Sequence, residues 1–255
     1  MKGTIIMKIS VIKDENNNSL GYLLYFEYDS SFIIELPEDA DEWKTPLLLS
    51  SYAKRKKYTI MPDDALLWVK ERIVPSSRQN IASILKDSNL KEYDEYKLLM
   101  MNEGRCSQDN YYLESCDSIP SFITERQKLL IKDYLILENR DLLIFFNNDE
   151  SRIYKIETNY ETISISAGGY GLLIDENRFI DNMHIYNNST ILNIKYADFI
   201  SFVRNNVLDA AEAAGLSKCT RQNIKDLKDK GKLNTVKESS KYSLFLKSDV
   251  LKNIH

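Results

Sequence analysis

The sequence has few of the residues from which reactive centres are commonly built. Across 255 residues there are three cysteines (Cys106, Cys116, Cys219) and two histidines (His184, His255). No two cysteines stand at C-x-x-C spacing, so a zinc-ribbon or thioredoxin-type site has no support. The sparse, odd set fits a reducing compartment. A two-His metal site would need His255 at the chain end. Eight glycines and five prolines are too few for collagen-like or Pro/Gly-rich classes. No run approaches the ~20 apolar residues of a membrane span. The opening MKGTIIMKISVIKDENNN has one short apolar stretch, broken by Lys8, and no signal-peptide cleavage pattern. The expected address is the cytoplasm, with no membrane partner.

What is present is ordinary for a folded chain: 43% apolar and 28% charged residues, which excludes wholesale disorder. The length implies two or three domains. Asn, Ile, Lys and Tyr are abundant, which reads as the codon bias of an AT-rich genome. The net charge of −4 argues against nucleic acid, but its distribution does not. Residues 207–255 hold ten basic and six acidic side chains, net +4, against 24 and 32 in the rest, net −8. A basic end on an acidic body is the asymmetry to follow.

Hydrophobic patterning predicts an α+β chain in three parts. Residues 1–120 form an α+β domain. Its strands are Ile5–Ile12, Tyr22–Phe26 and Ser31–Leu36, with a loop over Asp14–Gly21. Its helices are Asp63–Val74, Ser77–Lys86 with Ser77 as cap, and Asp94–Asn102, ended by Gly104. Residues 121–204 form a small β-rich domain. Ile119–Gln127 is a connection, followed by strands at Tyr134–Leu137, Leu142–Phe146, Arg152–Glu157, Glu161–Ser166 and Leu172–Asp175. A turn lies at 167–171, and a helix over Lys195–Asn206 docks on the sheet or pairs with another protomer.

Residues 205–255 carry the sharpest signal. Leu208–Leu216 is an alanine-rich helix, followed by a polar break at 217–219. Thr220 is a good N-cap for a helix over 221–230, with Ile224 and Leu227 inward. Gly231 ends it. Lys232–Lys237 and Lys241–Lys247 form a hairpin around Glu238-Ser239-Ser240. Leu233 and Val236 lie on one side, Tyr242, Leu244 and Leu246 on the other. Ser248 caps a closing helix, DVLKNI. Helix, turn, helix, hairpin is the order of a winged helix-turn-helix.

A recognition helix sets its N-terminal side chains against base edges. Arg221 and Gln222 are the first exposed positions there. Arg forks onto guanine and Gln onto adenine. Lys225 and Lys228 continue the Arg221 face, and Lys232, Lys237 and Lys241 surround the wing, placed for phosphates. The free N–H groups from Thr220 offer a further phosphate seat.

The stretch AAEAAGLSKCTRQNIKDLKDKGKLNTVK…LFLKSDVL resembles the excisionase and MerR-type winged helix-turn-helix family over about 45 of 255 residues. The matching elements are Thr220-Arg221-Gln222, Ile224 with Leu227, and Gly231-Lys232-Leu233. Two registers are open. With Gly215 as the turn glycine, Arg221 falls on a buried aliphatic position; with the turn at 217–219, the preferred reading, it is exposed. About residues 130–190, the sheet followed by GGYGLLIDENRFIDN, are similar to a small bacterial α+β domain family found beside helix-turn-helix segments or in toxin–antitoxin neighbourhoods. The N-terminal part, around RIVPSSRQNIASILK and LLMMNEGR, is vaguely like the N-terminal subdomain of HipA-type toxin kinases.

Other features have bland readings. SSRQNIASILKD echoes CTRQNIKDLKDK but reads as a capped amphipathic helix. Residues 54–57 (KRKK) read as a solvated loop. Asp63, Asp64, Glu92, Asp94 and Glu95 read as helix N-terminal acids. GGYG lacks the following helix of a dinucleotide fingerprint. Cys219 reads as a turn residue and His184 as exposed.

The expectation is a non-enzymatic, bacterial, sequence-specific regulator of transcription. Double-stranded DNA is its partner, a homodimer its form, and no cofactor or metal is implied. The alternative is an antitoxin-like module that neutralises a toxin or effector protein and autoregulates its operon.

Overall fold

The structure, a computed structural model, describes residues 7–253. Ile5 and Ile6 of the first predicted strand, and Ile254 and His255, lie outside the described residues. The chain is mixed α+β and forms two compact units, 7–148 with 152–191, and 149–151 with 192–253. The sequence reading divided it at 120 and 204 instead. Elements on both sides of residue 120 share one buried cluster, and the helix that ends at residue 206 belongs with the basic segment.

The first unit opens with an antiparallel meander of β1 (Met7–Lys13), β2 (Ser19–Phe26) and β3 (Ser31–Glu35). Then come α1 (Leu47–Lys54), β4 (Thr59–Ile60), α2 (Pro62–Lys70), α3 (Ile81–Asp87), α4 (Glu95–Met101) and β5 (Tyr112–Cys116). The sheet order is β4-β3-β2-β1-β5. Side chains alternate across it. Leu23, Tyr25, Phe32 and Ile34 meet Trp68, Val69 and Leu99 of α2 and α4. Leu24, Phe26 and Ile33 meet Ile123, Leu130 and Tyr170. A sheet covered on both faces needs continuous apolar strands, which SLGYLLYF supplies.

Gly21 does not end the loop; it sits within β2 opposite Ile12. A Cβ there would meet Leu36 Cδ2 at 2.8 Å, so the glycine admits close packing. α2 stops at Lys70 rather than Val74: the Arg72 N–H turns to Val69 O at 2.9 Å in a tighter closing turn, and Pro75 disfavours helical backbone at Val74 itself. α3 begins at Ile81 with Asn80 ahead of it, and Ser77 caps nothing. Glu103, at φ 56°, ends α4 in the left-handed position ahead of Gly104. Asp94 does cap that helix, accepting from the Lys97 N–H at 2.9 Å.

The unit continues with α5 (Ser121–Arg126), where the sequence implied a connection. β6 (Ile131–Ile136), β7 (Leu142–Phe146), β8 (Ser151–Tyr154), β9 (Ile163–Ser166), β10 (Gly171–Ile174), β11 (Arg178–Asp181), α6 (Asn182–Asn187) and β12 (Ser189–Ile191) follow. They make two sheets, β12-β8-β7-β6 and β11-β10-β9, rather than the one expected. Leu142, Ile144, Phe146, Leu172, Ile174 and Ile185 form their shared core. A strand follows the 167–171 turn, as its reading without a dinucleotide helix requires.

Two buried charges are fixed in this unit. Glu35, fully buried, accepts from Thr59 Oγ1 at 2.9 Å, Arg126 Nη1 at 2.5 Å and the Tyr170 hydroxyl at 2.8 Å. The Arg72 side chain is 2% exposed, bonds Asp109 at 2.5 Å and lies 4.0 Å from the Trp68 ring centroid.

The second unit contains α7 (Tyr196–Asn206), β13 (Val207–Asp209), α8 (Ala210–Leu216), α9 (Arg221–Asp229), β14 (Thr235–Glu238), β15 (Ser243–Leu246) and α10 (Lys247–Lys252). Its sheet order is β13-β15-β14, all antiparallel. Ala213, Ala214, Ile224, Leu233, Phe245 and Val250 make its core.

Candidate nucleic-acid interface

The basic segment is built on the α8–α9 pair. Leu208 belongs to β13, not to the helix, because Asp209 closes a capping box. Its carboxylate accepts from the N–H groups of Ala211 at 2.7 Å and Glu212 at 2.8 Å. Glu212 in return accepts from the Asp209 N–H at 2.9 Å. Three N–H donors at the helix start are thereby satisfied. Small residues then bring α8 close: Ala213 and Ala214 are buried against Ile224.

The turn lies at 217–219. The Cys219 N–H bonds Ala214 O at 3.0 Å and the Lys218 N–H bonds Gly215 O at 3.2 Å, with Lys218 at φ 50°. That is a Schellman helix end. Cys219 is a half-buried turn residue, as read from the sequence. Thr220 Oγ1 accepts from the Asn223 N–H at 3.2 Å and starts α9. Arg221 is exposed and Ile224 is 1% exposed, the register with the turn at 217–219. Leu227 is half-buried beside it.

The expected readers differ in how free they are. Arg221, Lys225, Lys232, Lys237 and Lys241 are exposed and form no ion pair among the described residues. Arg221 and Lys225 are one turn apart on one face of α9. Gln222 is exposed, but its amide donates to Asp226 Oδ1 at 2.9 Å. Lys228 is the least free. Its ammonium bonds Glu238 of β14 and lies 3.8 Å from Asp229, and its side chain is 23% exposed. The Glu238 carboxylate holds the Lys228 ammonium above the usual lysine pKa.

The hairpin departs from its predicted faces. β14 pairs Thr235 with Phe245 and Lys237 with Leu244, so Val236 is an extra residue in a bulge. The bulge turns Val236 outward, 55% exposed, and Phe245 rather than Leu244 or Leu246 is the fully buried anchor. The tip closes through the Ser239 N–H to Tyr242 O, later than Glu238–Ser240. Tyr242 is 44% exposed. α10 starts at Lys247 after Leu246, without a cap from Ser248.

Elsewhere Asp63 and Asp64 lie in the first turn of α2 and Glu95 in that of α4. His184 is exposed on α6, and residues 55–57 are exposed after α1. Among the described residues no group of three or more His, Cys, Asp or Glu side chains can hold a metal ion. None of their helices is long and apolar enough to cross a membrane. No family model matches the chain, and no curated protein or solved structure is significantly similar to it.

Proposed function

We propose that this chain is a sequence-specific regulator of transcription that binds double-stranded DNA through its second unit, without catalysis. The observation that carries the reading is an element order. The order helix, strand, helix, turn, helix and hairpin, with sheet order β13-β15-β14, supports the reading of this unit as a winged helix-turn-helix. α9 is then the recognition helix, and its exposed start carries Arg221 and Gln222. Arg221 reads guanine and Gln222, once released from Asp226, reads adenine. Lys225, Lys232, Lys237 and Lys241 contact phosphates, and Thr220 orders the N–H groups that seat another. One chain offers one reading head, so a homodimer on a two-part site is the expected form.

The test is binding to a fluorescent fragment of the gene's own upstream region, against scrambled DNA, at several salt concentrations. Preference for the upstream fragment that weakens with salt supports the reading. Equal affinity for both fragments removes sequence specificity, and no binding to either at micromolar protein ends it. Arg221→Ala is expected to cost about 1–3 kcal/mol at one base position.

A second reading has its own observation. Trp43 is 87% exposed and Leu47 is 91% exposed, next to Glu38, Asp39, Asp41 and Glu42. Exposed Trp anchors are enriched at binding hot spots. This favours a basic protein partner for the first unit, as in an antitoxin-like module. A pull-down with the neighbouring gene's product, with and without Trp43→Ala, tests it.

A further inference from the structure

β14 is one of the two edge strands of its sheet, paired with β15. Residues 236–242 are all exposed, so no described side chain packs over the hairpin tip. A side-chain ion pair joins this strand to α9: the Lys228 ammonium on the Glu238 carboxylate, between residues ten apart. The two ends are unequally exposed, 23% for Lys228 and 47% for Glu238. Asp229, 3.8 Å away, adds a second negative group beside the same lysine. A lysine placed to meet a phosphate would be open, as Lys225 and Arg221 are. Lys228 is turned to the wing and its charge is already answered.

We infer that Lys228 and Glu238 form a clasp that fixes the wing against α9, so that Lys228 is a positioning residue and not a phosphate contact. The inference rests on the DNA reading above. Lys237 neighbours Glu238 on β14, and Lys241 lies across the tip. Their reach to a flanking phosphate depends on the angle at which the clasp holds the hairpin. Opening it leaves Lys237 on a strand held by β15 alone and Lys241 on a tip no longer fixed against α9, and adds ordering entropy to the cost of binding.

The test compares Lys228→Met, Glu238→Gln, the double variant and the swap Lys228→Glu/Glu238→Lys, all in the full chain. Two measurements are made: DNA affinity against salt, and amide hydrogen exchange along β14 without DNA. Glu238→Gln makes the protein more positive. It is nevertheless expected to weaken binding about five- to ten-fold on all sequences and to flatten the salt slope by about one to two, at roughly 0.9 per lost phosphate contact. Lys228→Met should match it, the double should be no worse than either single, and the swap should restore both affinity and slope. The β14 amides should exchange faster in each single variant and recover in the swap.

Tighter binding or a steeper slope in Glu238→Gln would show that Lys228 is a phosphate contact held back by Glu238, and would overturn the inference alone. Unchanged exchange along β14 overturns it as well. No DNA binding by the unaltered protein overturns the DNA reading and the wing's part in it, whatever the exchange shows.

Discussion

Lys218 and Gly231 occupy the same position in two successive helix ends. Each is the first residue beyond a helix cap, in left-handed backbone, at φ 50° and 67°. After α9 the Gly231 N–H bonds Lys228 O at 2.8 Å and the Lys232 N–H bonds Leu227 O at 2.9 Å, repeating the α8 pattern at Lys218 and Cys219. One end carries the residue that fits the conformation without strain and the other does not. A Cβ on Gly231 would meet nothing within 4 Å, so any penalty there is in the backbone alone. Gly231→Ala is expected to destabilise the second unit by about 1 kcal/mol and Lys218→Gly to stabilise it by a similar amount. Both tryptophans lie in the first unit, so hydrogen exchange of α9 amides is the suitable readout. Equal and opposite shifts are the expected pair.

The buried Glu35 gives the first unit a pH dependence of definite sign. Burial pushes its carboxyl above the usual glutamate range, against the pull of Arg126, Tyr170 and Thr59. The folded unit therefore holds the proton more tightly than the unfolded chain. The resulting stability is full below the unfolded value of about 4.3 and is lost as pH rises through the folded value. The stability advantage of the natural protein over Glu35→Gln should shrink on going from acid to neutral pH. Urea titrations followed by Trp68 fluorescence at several pH values measure it, and an advantage that grows with pH would contradict it.

Removing a donor from the same carboxylate is a separate test. Tyr170→Phe takes away one hydrogen bond, at an expected cost of about 1–3 kcal/mol. Arg126→Met leaves a buried carboxylate without its cation and is expected to cost about 3–5 kcal/mol. The order of the two losses, read from urea midpoints, distinguishes an ion-pair site from a simple hydrogen-bond site.

On DNA, Lys237→Ala and Lys241→Ala are each expected to weaken binding to all sequences alike. Each should lower the salt slope by about 1, without changing the preferred base. A changed base preference in either would move these lysines from phosphate contact to base reading.

How far the sequence foretold this arrangement depends on the range of the forces involved. The Thr220 cap, the Ile224 and Leu227 face and the Gly231 stop are local signals within one helix, and each was legible. The start of α8 was misplaced, although Asp209 and Glu212 stand at capping-box spacing and could have fixed it. β5, β11 and α1 went unread. β5 is stabilised by β1, about a hundred residues away in sequence, and only one of its five residues, Leu113, is buried. The Val236 bulge depends on cross-strand register, which no single strand's pattern encodes. The pairing of Lys228 with Glu238 was not legible either, because the two residues lie on different elements. The buried Glu35 and Arg72 were missed for the same reason, since their partners lie on other elements.

Glu35 also bears on the order in which the chain is made. Its donors come from 24, 91 and 135 residues further along. A ribosome delivers these groups in that sequence, over several seconds at about 5–20 residues per second. While residues 36–125 emerge, the carboxylate can meet Thr59 but not its cation. Burying it then leaves a charge unanswered. The meander therefore has reason to stay loosely closed until Arg126 arrives, and to tighten only with Tyr170. Synthesis arrested between residues 126 and 170 should yield a first sheet that proteases still cut, and release of the later segment should end that susceptibility.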